Sequence, residues 1–152
     1  MKLVEQSAER WCFQLTANEA DLLRGLLKRF PFGRATKTRI SHVDDGPSAT
    51  DRQELLEESM AEHRRDLKRI ARTLLADEQW QESPEGPQLT LTPEHREVLL
   101  QILNDIRVGC WRALGEPEDL NTEPVEPVAG HRALMDLAGY YEIHLLAPDT
   151  PA

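Results

Sequence analysis

The chain has 152 residues and a formal net charge of −9, with 30% charged and 5% aromatic side chains. That length suits one domain burying roughly 68–70% of its unfolded surface, and the negative balance argues against broad nucleic-acid binding. No apolar run approaches the ~18 residues a membrane helix needs, and the opening MKLVEQSAERW lacks a secretory signal's apolar segment and small-residue cleavage site.

Residues 2–5 and 11–15 read as a short N-terminal β-hairpin (2–15), because Trp11, Phe13 and Leu15 alternate with Cys12 and Gln14. Thr16, followed by Glu19, forms a capping box that opens a helix over about 17–30. Leu22, Leu23, Leu26, Leu27 and Phe30 give it an apolar side, and Pro31 ends it. Residues 31–49 (PFGRATKTRISHVDDGPSA) read as a mobile loop, long enough to be functional.

Thr50, with Gln53 in the capping-box position, predicts a second helix over about 51–77. Its apolar stripe is Leu56, Met60, Leu67, Ile70, Ala71 and Leu74, and His63 falls inside that stripe. Acids precede bases along it, which suits the helix dipole and spaced ion pairs. Residues 78–91 read as a Pro/Gly-containing connection whose end, Gln88 to Leu91, is able to add a short strand.

Thr92 and Pro93 start the third helix, 93–114, and Gly115 supplies a left-handed cap. Projected at about 100° per residue, this helix is apolar around most of its circumference. Arg107 intrudes into the apolar arc, and Asn104 and Asp105 lie in the narrow polar strip. A helix apolar nearly all round belongs in the middle of a domain. The segment 116–127 (EPEDLNTEPVEP) is an acidic linker, and the last helix spans about 128–146. The expected fold is mainly α: a single helical domain, 1–152, in which a compact bundle of about four helices surrounds the long central helix.

Chemistry is harder to find. Cys12 and Cys110 match no metal or redox spacing, and the five histidines fall in different elements without a ligand motif. No phosphate loop and no nucleophile elbow appear. The expectation is therefore no catalytic residue, no cofactor, no metal and a reduced cytoplasmic setting. The structural or interaction candidates are Asn104, Asp105, Arg107 and His63; a buried guanidinium must find a carboxylate or carbonyl acceptors. Charge is uneven: residues 24–39 carry six bases and no acid, while residues 77–126 carry twelve acids against Arg96, Arg107 and Arg112. Arg24, Lys28, Arg29, Arg34, Lys37 and Arg39 thus form a candidate basic patch.

Three segments carry a resemblance: RWCFQLTANEADLLRGLL (10–27), LTLTPEHREVLLQILNDIRVGCWRALGEPED (89–119) and the closing helix 131–146. They resemble an uncharacterised bacterial family catalogued as domain of unknown function 2017, whose Leu-Asn-Asp-Leu-Arg signature is similar to LNDIR here. Family members usually continue with Gly-Thr-Arg-Leu-Gly, where this chain has Cys110-Trp111-Arg112-Ala113-Leu114-Gly115, so a divergent member is implied. The resemblance implies no established activity. Family genes in actinobacteria often neighbour that of the adaptor delivering substrates to the Clp protease. The leading expectation is a non-enzymatic regulator acting by protein–protein contact and linked to Clp-dependent proteolysis. One alternative is a nucleic-acid-binding transcriptional regulator using residues 24–39 and 64–72. The other is a small-molecule-binding protein or enzyme with a site near Arg107 and His63. Self-association as a homodimer through the stripes of 17–30 and 128–146 is a further expectation.

Overall fold

Strand periodicity around Trp11 produces β1 (Lys2–Gln6) and β2 (Trp11–Gln14), paired antiparallel with a bulge between Leu3 and Glu5. This computed structural model describes residues 1–32, 47–118 and 129–148. Most of the predicted loop 31–49 and of the linker 116–127 therefore lies outside the described residues. The hairpin does not stand alone. β3 (Trp80–Ser83) and β4 (Gly86–Leu91) extend it into a four-stranded antiparallel sheet of order β1-β2-β4-β3.

The connection 78–91 is thus a second hairpin rather than a loop ending in one optional strand. Its turn places Ser83 opposite Gly86, and the Ser83 hydroxyl donates to the Gly86 carbonyl at 2.8 Å. Gly86 has φ +116°, and a Cβ there would meet the Leu15 carbonyl at 2.7 Å. Only glycine suits both the backbone conformation and the close approach. Leu89 and Leu91 alternate with Gln88 and Thr90 and are fully buried, which is the period-2 pattern of a one-sided sheet.

The protein is mostly helical outside this sheet. α1 (Ala17–Arg29) begins as its capping box requires: Thr16 Oγ1 accepts from the Glu19 N–H at 3.2 Å, and Glu19 Oε2 accepts from the Thr16 N–H at 2.8 Å. α2 (Pro47–Leu75) starts earlier than the predicted residue 51. Thr50 is consequently inside the helix and not its cap, and Pro47 occupies the first helical position that prolines favour. Gln53 donates from Nε2 to Glu57 Oε1 at 3.0 Å, one turn onward. A short 3-10 turn, Asp77–Gln79, leads into β3, where Trp80 Nε1 donates to the Leu74 carbonyl at 2.9 Å.

α3 (Pro93–Ala113) is capped by Thr92, whose hydroxyl accepts from the His95 N–H at 3.1 Å. At its other end Gly115 (φ +87°) donates to Arg112 O and Glu116 donates to Trp111 O, the paired bonds of a Schellman termination. Val98, Leu99, Ile102, Leu103, Ile106 and Cys110 are buried. Asn104, Arg107 and Val108 are exposed along one side, so α3 is amphipathic, with a solvent-facing side that takes in Arg107 as well as the expected polar strip. It touches α1, α2, α4 (Ala129–Leu146) and β4, but α1 touches α2, α3, α4 and β4 as well. The hydrophobic core is one cluster drawing on all four strands and all four helices.

α4 is fastened to the start of α1. The Tyr141 hydroxyl donates to the Glu19 carbonyl at 2.6 Å, while the Tyr140 hydroxyl and the Met1 amino group both bond the Glu19 side chain. Partial burial pulls the Glu19 pKa up. The hydrogen bonds from the amino group, Tyr140 and the Thr16 backbone outweigh it and hold the carboxyl at about 2. A carboxylate with a depressed pKa contributes stability that is present above its unfolded value near 4.5 and lost as pH falls toward about 2. Acid titration of stability should therefore be shallower across that window in Glu19→Gln than in the wild type. Urea denaturation at stepped pH measures this; equal slopes would show that Glu19 is not the titrating group.

Candidate functional site

The polar residues of α3 point at two different neighbours. Asp105 is half-buried, and its Oδ2 accepts the backbone N–H of Phe32 at 3.3 Å. One turn later Gly109 leaves the room that Phe32 occupies: a Cβ there would lie 2.4 Å from its ring. The same ring meets His131 of α4 edge-on, 5.7 Å between centroids. Asp105 and Gly109 thus dock the segment after α1 into the α3–α4 seam. Asn104 is exposed and takes no part in this contact.

Arg107 faces α4 instead. Its Nη1 lies 2.5 Å from Glu142 Oε2, and its Nε lies over Gly139. The expected buried arginine is in fact the outer member of the pair. Its side chain is 45% exposed against 10% for Glu142. The long aliphatic stem carries the guanidinium from the apolar arc to the rim, so desolvation falls on the carboxylate. At the start of α3, Arg96 donates twice to the Leu145 carbonyl, at 2.9 and 2.6 Å, and lies 4.5 Å over the Trp11 ring. That carbonyl is one of the unpaired acceptors at a helix end.

His63 is exposed, outside the core that takes Leu67, Ile70 and Leu74 from the same stripe. No hydrogen bond or ion pair joins it to Asp66, and nothing brings it to Arg107. Arg107 and His63, the two residues around which a ligand site is an alternative expectation, lie on different elements and are not brought together. In the basic patch, Arg24 is occupied: its guanidinium sits 4.2 Å over the Trp80 ring and 3.8 Å from Asp21. Lys28 and Arg29 are exposed on α1, whereas Arg34, Lys37 and Arg39 lie outside the described residues.

Sequence periodicity missed where α2 ends its contact with the body. Of residues 50–66, none is buried and Gln53, Leu56 and Arg64 alone are half-buried, whereas Leu67, Ile70, Ala71 and Leu74 are core. Leu55 is 66% exposed and Met60 is exposed on this stretch. Ile143 and Leu146 on α4 are each 64% exposed.

Among the described residues, no group of three or more His, Cys, Asp or Glu side chains is placed to hold a metal ion. Burial pushes the Cys110 thiol up to about 11, so it is a hydrophobe in the core rather than a nucleophile. The Nδ1 atoms of His95 and His131 are buried without a hydrogen-bond partner among the described residues. Among the same residues, no helix is long and apolar enough to cross a membrane. No family model, no curated protein and no solved structure matches this chain.

Removing one partner of an ion pair leaves the buried member uncompensated. Arg107→Met should destabilise the fold by about 1–2 kcal/mol, discounted for the exposure of the guanidinium. Adding Glu142→Gln should recover part of that loss. A double-mutant cycle by chemical denaturation measures the coupling, and additive losses would show that the pair does not lock α3 to α4.

Proposed function

We propose that this chain is a non-enzymatic protein-interaction domain working in the cytoplasm, and that it regulates Clp-dependent proteolysis through contact with a protein of that system. The observation that carries the interaction reading is the stretch 50–66 of α2, in which no residue is buried and Leu55 and Met60 are exposed. Clustered apolar side chains on a surface mark contact sites more often than solitary ones do, and Met60 lies one turn from the half-buried Leu56 on the same face. The Clp connection rests on the resemblance over LNDIR and its neighbouring segments alone.

The contacts of the polar residues support the non-catalytic part of this reading. Asp105 holds a backbone amide, Arg107 holds Glu142, and Arg96 caps α4. Each of these groups is engaged in packing one element on another, which leaves none of them free for a substrate.

Surface binding measurements with the purified Clp adaptor and protease subunits are expected to give saturable binding that Leu55→Glu weakens about tenfold. Saturation with none of them removes the Clp connection. Cross-linking in cells from residues of α2 that recovers no protein removes the interaction reading itself.

A nucleic-acid role has one observation in its favour: Arg65, Lys68, Arg69 and Arg72 are exposed together on the second part of α2. Phosphate contacts would make binding fall steeply with added salt, so an absence of DNA or RNA binding at low salt disposes of that reading.

A further inference from the structure

The second part of α2 carries cations that the fold does not use. Leu67, Ile70, Ala71 and Leu74 seat this stretch in the core, so its outward side rests on a fixed support. Between residues 64 and 75 the exposed side chains are Arg65, Asp66, Lys68, Arg69 and Arg72, and no apolar side chain is exposed among them. At about 100° per residue the four bases fall within about 100° of arc, opposite the buried stripe. Asp66 stands about 60° beyond that arc, on its flank. Glu58 and Glu62 bound the patch upstream, and Asp77 and Glu78 follow the helix, so the patch is confined to this stretch.

Several arginines elsewhere are occupied. Arg24 lies over Trp80, Arg96 holds the Leu145 carbonyl, Arg107 holds Glu142 and Arg132 holds Asp136. Among the described residues, the side chains of Arg65, Lys68, Arg69 and Arg72 make no ion pair, hydrogen bond or ring contact. Glu62 and Asp66 stand three residues before Arg65 and Arg69, a spacing at which helix charges can meet. Neither pair forms.

A fixed face whose exposed side chains are all charged suits a ligand of high charge density. Protein contacts are built on an apolar core, which this face lacks, whereas the stretch 50–63 displays Leu55 and Met60. From Arg65 to Arg72 the helix rises about 10 Å, a length along which a nucleic-acid duplex presents about six phosphate charges. A single strand presents about half as many, and its binding draws on aromatic side chains that stack on bases; α2 has none. Guanidinium groups take phosphate oxygens in a fork, and no Asn or Gln stands among residues 64–75 to read base edges. We propose that this face is a sequence-independent contact for the phosphate backbone of a nucleic-acid duplex. The inference rests on the nucleic-acid reading above, and it names the form of nucleic acid and the residues that meet it. The net charge of −9 keeps such binding weak and confines it to this face.

Fluorescence anisotropy of a short labelled DNA duplex of mixed sequence, titrated with the full chain at a series of salt concentrations, tests this. The expected result is weak binding whose log constant falls against log salt with a slope of about −3 to −4, for four phosphate contacts. Arg69→Gln should make that slope shallower by about one. Arg52→Gln, which removes the same charge from an exposed position in the first part of the helix, should leave it unchanged. Glu62→Gln should tighten binding about threefold, because it removes an acid from the border of the patch. The component single strands should bind more weakly, and polyglutamate should displace the duplex poorly. All three substituted positions are exposed, and far-ultraviolet circular dichroism checks that the fold is retained. A slope that responds to Arg52→Gln as much as to Arg69→Gln reflects net charge alone and overturns the assignment to this face. Single strands bound as tightly as the duplex overturn the form of the ligand. Polyglutamate that competes as well as unlabelled duplex makes the ligand an acidic protein segment and overturns the proposal. No binding at low salt removes the nucleic-acid reading as a whole, so its failure is distinguishable from the others.

Discussion

The pairing of β2 with β4 is the constraint on which the rest of the structure depends. It sets Phe13 opposite Leu89 and Trp11 opposite Leu91, joining strands separated by two helices and most of the first half of the chain. α1 and α2 therefore form one excursion that leaves the sheet at Leu15 and returns through Trp80. α3 then departs from the end of β4 after a single capping residue, Thr92. Because the exit of α1 and the exit of α3 lie on neighbouring strands, the two helices run against one another and share the other elements as neighbours. α4 closes the core last, with Tyr141 fully buried and its hydroxyl satisfied by the Glu19 carbonyl.

Polar groups at the joints follow from that geometry. A helix arriving late in the chain has to settle on ends that already carry unpaired carbonyls and amides, and such groups are costly when buried alone. Arg96 meets this cost at the end of α4, Asp105 at the amide of Phe32, and Glu19 at the start of α1. Arg107 and Glu142 differ, since they are side chains paired across the α3–α4 seam. All these residues belong to the fold's fastening. Within residues 104–107, Asp105 and Arg107 fasten neighbouring elements to α3, while Asn104 is exposed.

Features governed by neighbours in sequence were legible before the structure. The Thr16 box, the Thr92–Pro93 start and the Gly115 termination each depend on a few adjacent residues and appear as expected. Features set by distant contacts were not. β3 contains one buried apolar residue, Trp80, and its strand character comes from pairing with β4. The start of α2 set two local signals against each other, and the proline at position 47 prevailed over the Thr50–Gln53 box. Helix angle alone places Arg107 in the interior, because it carries neither the reach of the side chain nor the position of Glu142.

His63 and Leu67 illustrate the remaining limit most sharply, because they share one stripe and lie one helical turn apart. Periodicity reports which side of a helix is apolar, and it is silent about where along the helix the covering body stops. For α2 that boundary falls between Arg64 and Leu67, and it divides a uniform seam into a part that belongs to the core and a part that faces outward. Among the described residues, Met60 and His63 are exposed and Leu56 is half-buried, so the body takes up this stripe only from Leu67 onward.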